Sequence, residues 1–131
     1  MPGEMNAKLP AVLVLHPSIA SDIAAIESRF GNDTEALNEC RSRITVALQR
    51  IRKKPVEDKN PICEYEPLRS AGYRKVKLFS HPPARKEHPD LRIIYRYDES
   101  SHEVLLLAIG FRILEKPRPP EDPYSQASTR L

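Results

Sequence analysis

Hydrophobic positions recur along the chain with two periods, a helical one before residue 55 and a period of two after residue 72. The run AVLVLH at 11–16 reads as a short strand, and Pro17-Ser18 reads as a stop followed by a helix N-cap. Ile19, Ile23, Ile26 and Phe30 share one face at helical spacing, which predicts an amphipathic helix over 19–30. Gly31 suits the left-handed residue after a helix end. Asn32 with Glu35 three residues on resembles a capping box that opens a second helix. Leu37, Cys40, Ile44, Leu48 and Ile51 form its buried stripe, its last turn RIRKK suits the negative end of the helix dipole, and Pro55 closes it. So short a connection predicts an antiparallel helical hairpin.

The second half alternates. GYRKVKLFS predicts a strand over 73–79 and LRIIYRY one over 91–97; EVLLLAIGF at 103–111 is apolar on both faces, as in a central strand. The segment 55–72 reads as a polar loop, HPPARKEHPD at 81–90 is too rich in proline for a strand, and 116–123 is a third loop. Pro123 is well placed to start a short final helix, with Tyr124, Ala127 and Leu131 on one side. The order β-αα-βββ-α predicts an α+β fold: a small antiparallel sheet packed against an N-terminal helical hairpin, with the first strand at an edge. A mobile leader at 1–10 and a single domain at 11–131 are expected.

Composition agrees with one globular domain: 131 residues, 40% hydrophobic and 30% charged. The net charge of +3 says little, but residues 69–96 hold eight Lys/Arg against Glu87 and Asp90. Local basic density of this kind is the footprint of a polyanion site or of a solvated basic surface. The five-residue AVLVL run is too short for a signal or a membrane span, so a cytoplasmic protein without membrane contact is expected. Cys40 and Cys63 sit in no CxxC pattern and the four histidines lack ligand spacing; reduced thiols, no metal and no cofactor are expected.

Strand alternation puts Lys75 and Lys77 on one side, and Arg92 and Arg96 on one side of the next strand. With the hairpin on the apolar side, the other face is expected to be open and to carry these four cations, with Arg112 at a strand end. Crowded cations favour the neutral form of a lysine. A neutral lysine can take a proton from a 2′-hydroxyl while arginines stabilise the charge that develops on phosphorus, which is metal-free RNA cleavage by transesterification. A plain binding surface is the alternative reading of the same face.

The stretches YRKVKL, LRIIYRYDES, HEVLLLAIGFR and PYSQASTRL, in this order behind the helical hairpin, resemble the RelE family of bacterial toxins within the RelE/ParE superfamily. The resemblance spans Ala11 to Leu131 and is strongest from Gly72 to Arg112. It implies the toxin of a type II toxin–antitoxin system, a ribosome-dependent endoribonuclease that cuts mRNA in the A site, contacts 16S rRNA and is silenced by a cognate antitoxin. It also implies site roles. Lys75 and Lys77 match the strand lysines tied to base and charge-stabilising roles, and Arg92 the arginine that holds the scissile phosphate. Arg112 matches the transition-state stabiliser, and Tyr124 the C-terminal aromatic near the reacting nucleotide. Arg74, Arg85, Lys86 and Arg96 are candidate RNA-binding residues. The chain departs from the family pattern where HPPARKEHPD and ILEKPRPPE lengthen two connections. Two alternatives stay open: a ParE-like toxin that inhibits gyrase, and a non-catalytic RNA- or protein-binding relative.

Overall fold

A computed structural model describes residues 9–81, 88–113 and 117–131. The first eight residues of the expected leader, and the loop cations Arg85 and Lys86, lie outside the described residues. The elements are β1 (Val12–Leu15), α1 (Ile19–Ser28), α2 (Thr34–Lys53), β2 (Arg74–Leu78), β3 (Leu91–Asp98), β4 (Glu103–Phe111) and α3 (Pro123–Thr129). Among the described residues no helix is long and apolar enough to cross a membrane.

Helix ends differ from the sequence reading in detail. Ser18 occupies the N-cap of α1 but makes no side-chain cap bond; its N–H donates to Nδ1 of His16 instead. The cap of α2 is Asp33, whose carboxylate accepts from Ala36 N at 3.1 Å, so the cap lies one residue beyond Asn32. Asp22 in α1 is buried among apolar neighbours and is fully engaged. It accepts from Ile109 N at 3.0 Å and takes a two-nitrogen fork from Arg130 at 2.6 and 2.7 Å.

The sheet runs β1-β4-β3-β2. β2, β3 and β4 form the antiparallel meander, and β1 joins the β4 edge in parallel, which makes the sheet mixed. One face buries Ile93, Tyr95, Val104 and Ile109 against Ile19 and Ile26 of α1 and Cys40, Ile44 and Ile51 of α2. The other face is not open, as the alternation of charges suggested. Cys63, Leu68 and Tyr73 of the 55–73 segment and Ala127 of α3 pack on Ile94, Leu107 and Ala108, forming a second apolar layer. The reason is that β3 and β4 carry apolar residues on both faces. Leaving Ile94 and Leu107 in water would forfeit about 1.5–3 kcal/mol for each side chain.

The register between β3 and β4 shifts once. Ile94 pairs with Ala108 and Tyr95 with Leu106, so Leu107 is an extra residue. Before the bulge, Val104 and Leu106 face the helices; after it, Ile109 and Phe111 do. Even-numbered β4 positions beyond the bulge therefore turn to the opposite face, where Gly110 sits across from Arg92 and Arg112 follows.

The Asp22–Arg130 pair joins α1, β4 and the C-terminal helix. Arg130→Ala leaves the Asp22 carboxylate buried and short of partners, and should cost about 3–5 kcal/mol of stability. Chemical denaturation checks this; a loss below about 1 kcal/mol would show that the clasp is dispensable.

Candidate functional site

Between the sheet and its second layer lies a cleft of about 600 Å³, and Lys75, Lys77, Arg92, Arg112 and Tyr124 all line it. The two lysines come from β2, where Lys75 pairs with Ile94 and Lys77 with Arg92. Arg92 opens β3, Arg112 follows β4 and Tyr124 stands in the first turn of α3. Arg118, which the sequence reading passed over, also lines the cleft, as do Glu64 and Cys63.

Arg92 is 2% exposed and its guanidinium is held by polar atoms. Nη1 donates to Pro89 O at 3.0 Å and Leu91 O at 2.9 Å, and Nε donates to Tyr124 Oη at 3.2 Å. Nη2 makes no hydrogen bond among the described residues. Burial lowers the Arg92 pKa, Arg112 and Arg118 lower it further, and Tyr124 opposes the shift. Tyr124 Oη accepts from Arg92, so its own proton remains available to a ligand.

The positions of Tyr124 and Arg112 are fixed by one buried carboxylate and by backbone bonds. Asp122 is fully buried and accepts from Tyr124 N at 2.9 Å and Ile113 N at 3.1 Å, which caps α3 and ties the segment after β4 to it. Arg112 N donates to Asp90 O at 2.8 Å. The Asp90 carboxylate takes bonds from Ser80 N and Ser80 Oγ at 2.8 and 2.6 Å, closing the neck of the 81–90 loop.

Electrostatics separates the two lysines. Lys75 Nζ lies 3.3 Å from Glu64 Oε1. Lys77 is exposed, and its pKa is lowered, first by partial burial and then by Lys75, Arg92 and Arg112, with Glu64 pulling the other way. Burial pushes the Cys63 thiol up to about 11, so it is neutral at pH 7 and serves as wall, not nucleophile. Among the described residues no group of three His, Cys, Asp or Glu side chains could hold a metal ion.

Two candidate RNA-binding residues are not brought into the cleft. Arg74 alternates to the helix-facing side with Val76, and its Nη1 donates to Asn60 O at 2.8 Å, holding the 55–73 segment. Arg96 shares the face of Arg92 but lies under the second layer, its guanidinium 5.6 Å from the Tyr73 ring centre. The one signal in the sequence for Arg118 is its place four residues before Asp122, the cap of α3.

This arrangement of sheet and helices is the RelE toxin fold. The solved structure of a double arginine-to-alanine mutant of E. coli toxin RelE in the free state superposes with a TM-score of 0.57. The identity is 15%, covering 94% of this chain and 99% of that one. The toxin–antitoxin complex RelBE2 from Mycobacterium tuberculosis matches with a TM-score of 0.51 at 14% identity, covering 79% of this chain and 93% of that one. No family model matches the chain, and no curated protein matches it in sequence.

Lys77 should titrate below the ordinary lysine range. Arg112→Ala removes a neighbouring cation and should move the midpoint up; Glu64→Gln removes an anion and should move it down. NMR of the side-chain Cε carbon reads both, and a midpoint indifferent to Arg112 would separate the two residues.

Proposed function

We propose that the protein is the toxin of a type II toxin–antitoxin system, a ribosome-dependent endoribonuclease that cleaves mRNA in the A site by metal-independent transesterification. The observation that carries this reading is the convergence of Lys75, Lys77, Arg92, Arg112 and Tyr124, from three strand regions and a helix, on one cleft in a RelE fold. Lys77, whose neutral form is favoured, takes the proton of the 2′-hydroxyl, and that oxygen attacks phosphorus. Arg92 through Nη2 and Arg112 hold the non-bridging oxygens, and Lys75 adds positive charge beside them; these cations supply the stabilisation of the pentavalent state. The bond from phosphorus to the 5′-oxygen breaks, and the Tyr124 hydroxyl protonates the leaving oxygen. The products are a 2′,3′-cyclic phosphate, open to hydrolysis to a 3′-phosphate, and a 5′-hydroxyl.

A cognate antitoxin that covers the basic cleft completes the reading, supported by the M. tuberculosis RelBE2 structure being a toxin–antitoxin complex. Arg85 and Lys86 are proposed to contact 16S rRNA. The neutral-lysine requirement gives a pH dependence: the rate should rise with pH up to the lowered Lys77 midpoint. Arg112→Ala should lose on the order of 10²–10³ in single-turnover cleavage on programmed ribosomes. Expression of the chain alone should arrest growth with cleaved messages. A 5′-phosphate on the downstream fragment, or normal growth at verified levels of folded protein, would contradict the proposal.

A further inference from the structure

Arg118 has the surroundings of a built site. Its guanidinium carbon lies 4.5 Å from the centre of the Tyr124 ring, and Nη1 lies 3.5 Å from Asp122 Oδ1. Asp122 is fully buried and both its oxygens already accept backbone N–H groups, so it is a fixed anchor and a weak competitor for the arginine. The rest of the Arg118 fork makes no hydrogen bond among the described residues, although the side chain lines the cleft and is 24% exposed. Its charge lowers the pKa of buried Arg92, so placing it there has an electrostatic cost that an anionic ligand would relieve.

We infer that Arg118 is a phosphate-binding residue of this cleft: it lies over the Tyr124 ring, is anchored by Asp122, and turns its remaining N–H groups to a second phosphate of a single RNA strand, next to the one held by Arg92 and Arg112. The inference rests on the polyanion reading of the cleft and not on cleavage. A planar fork suits both contacts at once, stacking on the ring and donating to phosphate oxygens.

A 2′-O-methyl oligoribonucleotide, which lacks the attacking hydroxyl, serves as the probe, with binding followed against salt. Arg118→Gln keeps a polar, unbranched side chain but is shorter and removes the charge. It should weaken binding about tenfold and reduce the slope of log affinity against log salt by about 0.7. Arg118→Lys should retain the slope. Wild-type affinity and slope in the Gln variant would overturn the inference. So would equal losses in the Lys and Gln variants, which would make Arg118 a packing residue for Tyr124, or a Gln variant that melts early while its folded fraction binds normally. Failure of the probe to bind wild-type protein at low salt would overturn it as well. If wild-type protein binds the probe yet cleaves no message on ribosomes, the endoribonuclease reading falls and the comparison of variants still decides the role of Arg118.

Discussion

A guanidinium that is almost wholly out of water must find fixed acceptors, and the burial of Arg92 imposes that demand at the centre of the molecule. The carbonyls of Pro89 and Leu91 take Nη1 and Tyr124 Oη takes Nε, while Nη2 is left without a hydrogen bond among the described residues. Tyr124 must therefore come to the first residues of β3, which fixes where α3 lies. Pro123 packs on Gly110, the partner of Arg92 in β4, so the helix start fits against a strand with no side chain at that point. The same burial focuses the charge of Arg92 on its neighbours and contributes to the lowered pKa of Lys77.

Cations so crowded would repel one another, and the structure limits the cost with acids of two kinds. Asp122 is buried and rigid, and acts as an anchor for Arg118 and a cap for α3. Glu64 is exposed and pairs with Lys75, whose side chain is largely covered. An exposed carboxylate on a flexible side chain holds its partner weakly, so a phosphate can replace it at modest cost. Lys77 has no such partner among the described residues, and its pKa is lowered by partial burial and the neighbouring cations, so only one of the two lysines is held by an acid although they are two residues apart.

Remote contacts support this arrangement. Asp22 of α1 binds Arg130 and the backbone of β4 on one side, while Asp90 and Ser80 bind the neck of the 81–90 loop and the backbone of Arg112 on the other. The helix that presents Tyr124 is thus clasped at its far end by Asp22 and at its near end by Asp122. Placement of Tyr124 follows from two buried carboxylates and from Ala127 in the second apolar layer; Leu131, expected on the same side, is exposed.

Much of this was legible in the chain. The helical spacing of Ile19, Ile23 and Ile26 and of Cys40, Ile44 and Ile51 set both apolar stripes, and alternation set the shared face of Lys75 and Lys77, because both patterns depend on neighbours a few residues apart. The same alternation, applied with care, also excludes Arg74 from that face. The tertiary structure decided what depends on contacts across the sheet. Leu107 is one apolar residue in an apolar run, and nothing in that run marks it as the bulge that turns Arg112 toward Arg92. Cys63 and Leu68 lie in a segment that reads as a polar loop, yet the apolar surface of Ile94 and Leu107 draws them, with Tyr73 beside them, into a second layer and turns an open basic face into a cleft. Arg118 gains its place only when Asp122 is buried beneath it, since a surface arginine before a proline pair has no local feature that points it at a ring. Local periodicity fixes which way a side chain leaves its own strand or helix; which groups then meet is set by register and burial, and those are properties of the packed molecule.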